Sequence, residues 1–259
     1  MVSRTAALSA GRAEMLAFCR DLDESEWQTP SAAWGWRVHD VIAHLGSGCH
    51  ALFTPAALKL LRSRDIERAN DTLVDARRSW TSSQVLTELQ RWSARAVRLS
   101  SFAESLPLGR VRMPLAELGR FPVPLLLGGA LVFDLHTHLR YDMAPVLDRP
   151  VPGTDANRMA VVVEWMLAVL GNQLAGSSYS WLDGAVSLSL TGPGGGTWVL
   201  DRGGVRTGEG AGATAAAISS PADQFPEWAT TRVPWRDRDI RITGDEVYGE
   251  KFLDTVNVI

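Results

Sequence analysis

The feature that most constrains this chain is a change of hydrophobic period across DRPVPGTDAN, residues 148–157. Before it, apolar residues recur at helical spacing; after it, AVSLSLTGPGGGTWVL (185–200) alternates with period two. A helical stripe cannot serve as a half-buried strand, nor an alternating run as a helix, so one uniform fold cannot hold both. The Pro- and Gly-containing stretch between them reads as a linker. The expectation is an α+β chain: a four-helix bundle over residues 1–150, followed by a smaller α+β domain over 151–259.

In the first half, RTAALSAGRAEMLAFCRDL (4–22) brings Leu8, Met15, Leu16, Cys19 and Leu22 near one helical face. A loop carrying Pro30 and three tryptophans, Trp27, Trp34 and Trp36, precedes a second helix in RVHDVIAHLGSGCHALF. The polar stretch Arg62 to Ser79 reads as part helix, part loop. SSQVLTELQRWSARAVRLSSFAESL (82–106) reads as a serine-capped helix. Pro122 and Pro124 suit the entry of a fourth helix running to about Met143, where Pro145 stops it. No strand is expected before residue 120. In the second half, RMAVVVEWMLAVLGNQL is a helix, and GPGGG is the turn of a hairpin in which Val186, Leu188 and Leu190 share a face. A glycine-rich stretch, an alanine-rich segment, a short helix near SPADQFPEWA, a strand at DIRI and a last helix in DEVYGEKFLDTVNVI complete the pattern.

Composition removes several function classes. A net charge of −3 lacks the basic excess of a nucleic-acid binder. The longest apolar run, VPLLLGGALVF, is far short of the roughly 20 residues a membrane span needs, and the N-terminal residues lack a signal-peptide core. Cys19 and Cys49 are too few for a disulfide framework or a cysteine-based zinc site, so a reduced, cytoplasmic setting is the default expectation. GPGGG lacks the Lys-Ser/Thr that a phosphate loop requires.

The candidate chemistry lies in LVFDLHTHLRYDM (131–143). On a helix Asp134 and His138 are four residues apart, about 40° from one another, while His136 points some 160–200° away. His44 shares a stripe with Val41, Leu45 and Gly48 on the second helix, whereas His39 and His50 point elsewhere. His44, Asp134 and His138 together supply two imidazoles and a carboxylate, a set that suits zinc, nickel or ferrous iron and leaves positions open, as in catalytic sites. The same residues admit a plainer reading: a satisfied core histidine, and an Asp–His pair sharing a hydrogen bond.

WGWRVHDVIAHL (34–45) resembles the tryptophan-then-HL signature of the DinB-like N-terminal domain of the mycothiol-dependent maleylpyruvate isomerase family. The resemblance implies that His44 is a metal ligand, and that Asp134 and His138 match the acidic residue and histidine of a later helix. VSLSLTGPGGGTWVLDRG, ISSPADQFPEWATTRVPW and ITGDEVYGEKFLDTVNVI resemble the family's C-terminal domain, which is similar to sterol carrier proteins, so the likeness spans nearly the whole chain. There are two departures. The isomerase carries glutamate where this chain has Asp134, and the family's H-x-x-D is here H-L-R-Y-D, with Asp142 one residue late.

What the resemblance implies is a metalloenzyme using a divalent ion, zinc first and nickel or iron as alternatives. Its cosubstrate is mycothiol, a low-molecular-weight thiol of actinobacteria, and its partner a small electrophile, through isomerase or S-transferase chemistry. Arg232, in TTRVPW, is a candidate to reach over an interdomain cleft toward a carboxylate on substrate or thiol, or is a solvated surface arginine. The competing readings are a hydrophobic-ligand-binding module and a regulatory protein that keeps the fold without the chemistry.

Overall fold

The computed structural model describes residues 2–208 and 214–258. The chain divides into two compact units, Ser3–Gly153 and Thr154–Ile259.

Helix starts in the first unit follow from short polar side chains that bind orphan backbone N–H groups. Helix α1 (Arg4–Arg20) is capped by Ser3, and the unforeseen short helix α2 (Glu24–Gln28) by a reciprocal Asp23–Glu26 capping box. Helix α3 (Val38–Ala51) carries His44 and is buried at nearly every position. The polar stretch resolves into α4 (Ala56–Arg62) and α5 (Ile66–Asp75). Helix α6 (Ser82–Ser105) is capped by Thr81 with Gln84, not by a serine. Helices α3 and α6 approach closely because Gly46 has no side chain; a Cβ there would lie 3.1 Å from the backbone nitrogen of Leu89. Leu8, Met15, Ile42, Leu89, Leu135 and Leu139 fill the core.

Two findings correct the expectation for this unit. It contains an antiparallel hairpin, β1 (Arg112–Leu115) and β2 (Gly119–Pro122), so it is not free of strands before residue 120. Strands of four residues containing Pro114 and Pro122 carry almost no alternation signal. The hairpin turns through Ala116 at φ 46° and Gly119 at φ 107°. The arginines at its edges, Arg112 and Arg120, each donate to the other's carbonyl oxygen, satisfying groups that a wider sheet would have paired.

The second correction concerns the last helix of the unit, which is not regular. A π-helical turn over Leu125–Gly129 leads into α7 (Ala130–Thr137), and a second π turn covers His138–Met143. Such turns cluster at functional sites, since the extra residue per turn re-aims the side chains that follow.

In the second unit, α8 (Ala156–Gln173) starts at an Asp155 cap. A five-stranded sheet follows: β3 (Val186–Thr191), β4 (Gly196–Asp201), β5 (Gly204–Thr207), β6 (Ala216–Pro221) and β7 (Arg241–Gly244), in the order β5-β4-β3-β6-β7. The β3–β4 hairpin lies where the alternation put it, with Val186 opposite Leu200. The alanine-rich segment is β6, which pairs parallel to β3 at the centre of the sheet and buries Ala216 and Ile218. Small residues there gave no strand signal. The glycine-rich stretch begins as β5 and then passes into residues 209–213, which lie outside the described residues. Short helix α9 (Phe225–Ala229) and terminal helix α10 (Glu246–Thr255, capped by Asp245) complete the unit. The two units together make an α+β chain. Among the described residues, no single helix is long and apolar enough to cross a membrane.

Candidate metal centre

The site grows from α3. Asp40, in its first turn, accepts from the backbone nitrogen of Arg37 at 3.0 Å and from that residue's guanidinium, which fixes where the helix starts. Four residues on, His44 is 6% exposed. Helix α7 contributes Asp134, and His138 opens the π turn that follows. One donor atom from each of His44, Asp134 and His138 lies within 4.8 Å of the others. The structure thus brings together the three residues singled out from the sequence.

The distances suit a shared ion better than direct hydrogen bonding. His44 Nε2 is 4.0 Å from Asp134 Oδ2, too far for a hydrogen bond. Two metal bonds of about 2.0–2.2 Å can span that gap. The His44 Nδ1 atom is buried and has no hydrogen-bond partner among the described residues. A buried imidazole with neither nitrogen bonded is costly, and a metal bond at Nε2 would give the ring one partner while Nδ1 stays without one. Burial, then the neighbouring His138, pushes the His44 pKa down to about 3, against a smaller opposing pull from Asp142. His44 is therefore neutral at ordinary pH, the form that binds metals.

His138 is held differently. Its Nδ1 lies 2.7 Å from Oδ2 of the buried Asp142. An ionised carboxylate only accepts, so Nδ1 carries the proton and Nε2 is left for an ion, the usual outer-shell arrangement of a metal-binding histidine. The i, i+4 hydrogen bond of His138 thus runs forward to Asp142, not back to Asp134. The fold absorbs the late aspartate inside the π turn. The sequence carried a signal for this pairing, because 138 and 142 have the same spacing as 134 and 138.

Trp36 adds a wall. Its ring centroid is 5.1 Å from that of His44 and 6.3 Å from that of His138, and its Nε1 donates to Asp71 Oδ1 at 3.0 Å. The Asp134 side chain, by contrast, is 35% exposed, and it marks the open side of the cluster.

The remaining histidines lie apart. His136 is buried, packs edge-on against Tyr141 at 5.9 Å and is absent from the cluster. His39 places Nδ1 3.1 Å from Asp40 and Nε2 3.0 Å from the Trp80 carbonyl. His50 Nδ1 is 2.8 Å from Glu88, which also accepts from Arg77. Burial pushes both thiols, Cys19 and Cys49, up to about 12, so neither is a nucleophile at ordinary pH. Arg232 belongs to the second unit, where it is half-buried and donates to Thr230 Oγ1 at 2.9 Å.

Comparison with known proteins places this chain in a family. No curated protein matches the sequence. In fold the chain is similar to the crystal structure of the mycothiol-dependent maleylpyruvate isomerase, at 14% identity and a TM-score of 0.56, over 89% of this chain and 88% of that one. A crystal structure of a histidine-to-alanine mutant of the mycothiol-dependent maleylpyruvate isomerase is similar over 93% of this chain and 91% of that one, at 14% identity and a TM-score of 0.55. At that identity the likeness is one of fold. The family model for the mycothiol maleylpyruvate isomerase N-terminal domain matches residues 8–139, half of the chain and a span holding all three cluster residues, so the chain belongs to that family.

Proposed function

We propose that this chain is a metal- and mycothiol-dependent enzyme that acts on a small electrophile as an isomerase or S-transferase. The observation that carries this reading is the His44–Asp134–His138 cluster, lying within the matched family span. A divalent ion held there, zinc first and nickel or ferrous iron as alternatives, would supply Lewis acidity that keeps a thiol as its thiolate. His44 and His138 offer imidazole nitrogens, and Asp134 offers the carboxylate that lowers the net charge. Asp142 holds the His138 ring in place, and Trp36 keeps water from one side of the pair. Asp134, partly exposed, lies where thiol and electrophile would enter.

The test is metal per chain by mass spectrometry, followed by mycothiol-dependent isomerisation of maleylpyruvate. Wild type should hold one ion, His138→Ala none, and His136→Ala one; Asp134→Glu should keep the ion. Activity should need both metal and thiol. Loss of the ion in His136→Ala with retention in His138→Ala would refute the assignment. A wild-type chain that takes up no zinc, nickel or ferrous iron would leave hydrophobic-ligand binding as the better reading.

A further inference from the structure

We propose that the groove between α1 and α6 is a second binding site, for a small molecule with an oxyanion at each end and a short apolar middle. The groove is open to solvent, offers about 350 Å³ and is lined by Arg12, Ala13, Leu16, Arg20 and Gln90, none of which belongs to the metal cluster. That volume falls within the range of about 300–1,000 Å³ typical of small-molecule sites.

The arginines are held in place but not neutralised. Arg12 donates from Nε to Ser93 Oγ at 2.9 Å and from Nη2 to the Gln90 carbonyl at 3.1 Å, so its guanidinium is splinted against α6 while Nη1 remains uncommitted. Arg20 donates from Nε to the Leu16 carbonyl of its own helix at 3.2 Å. Neither arginine has a carboxylate partner among the described residues. The acids that could have served are engaged elsewhere. Glu14 takes both Nη atoms of Arg140, and Glu24 accepts from Ser82. The two acids of α6 are used as well: Glu88 by Arg77 and His50, and Glu104 by the backbone nitrogens of Arg4 and Thr5.

The spacing defines the ligand. Arg12 and Arg20 are eight residues apart, about 12 Å along the helix axis. Ala13 and Leu16 form the floor between them. Guanidinium forks match carboxylate or phosphate groups, and their long stems let the two heads close on a shorter molecule. A dicarboxylate or a bisphosphate has this chemistry.

The test is calorimetric titration of the full, chelator-treated chain with adipate and, separately, with 1,4-butanediol bisphosphate. Removing metal keeps the result independent of the cluster around His44. One saturable site per chain is expected, weakened by added salt. The stronger of the two probes tells carboxylate from phosphate. Arg20→Gln, which disturbs only a bond within its own helix, should weaken binding at least tenfold. Arg12→Lys, which keeps the charge but loses the fork, should also weaken it, and Arg98→Gln, on α6 but outside the groove lining, should leave it unchanged. Absence of saturable binding by either probe would overturn the proposal, as would an Arg20→Gln chain that binds as wild type does. Tighter binding of a polyglutamate peptide than of either probe would also overturn it, marking the groove as a protein-docking surface.

Discussion

Asp40 shows how much one residue can hold. It is fully buried and accepts from Arg37, His39 and Arg78. Burial alone would raise its pKa, but hydrogen bonds from His39 and Arg37 outweigh that and hold the carboxyl well below the usual carboxylate range. A depressed native pKa means stability that is present above the unfolded value of about 3.9 and lost as pH falls toward the native one. Asp40→Asn should therefore cost about 3 kcal/mol at neutral pH, the scale of breaking a buried ion pair. The gap from wild type should narrow below about pH 4. Denaturant unfolding of both proteins at neutral and acid pH checks this, and a gap independent of pH would refute it. The same network sets the start of the helix that carries His44, which links the stability of Asp40 to the geometry of the site.

Among the elements, the broken helix from Leu125 to Met143 does most to shape the cluster. Its first π turn packs against α1 and α6 through Gly128, where an added Cβ would come within 2.8 Å of Arg4 Cβ and 2.9 Å of Ser100 Oγ. Gly128→Ala should therefore destabilise by roughly 1–3 kcal/mol through overpacking. Gly48, on α3, has nothing within 4 Å of the same added atom. Gly48→Ala should be neutral or up to about 1 kcal/mol stabilising, through helix propensity. Thermal unfolding of the two variants separates a packing constraint from a propensity effect; equal shifts would mean that the π turn is not pinned at Gly128.

At the scale of the whole molecule, the cluster residues all belong to the first unit, so an ion bound there should stabilise that unit selectively. Binding at a hundredfold excess over Kd adds about 2.7 kcal/mol to the unit that holds the site. Hydrogen exchange with and without zinc should show slower exchange in α3 and α7, with β3 and β6 unchanged. Equal slowing in both units would indicate that they unfold as one.

The sequence by itself determined the α+β class, because the switch from period 3.6 to period 2 is a local property of the side chains. It also put Asp134 and His138 near one face and His136 away from it, since both follow from helical angles within one short segment. The late Asp142 was legible as a spacing but not as a partner, because its role depends on a π turn that no local propensity encodes. Only the tertiary structure decided that Trp36 walls the histidines, that β6 inserts between β3 and β7, and that two proline-bearing segments pair as a hairpin. Each of these is a contact between distant parts of the chain, formed where burial and backbone pairing outweigh weak or contrary local preference.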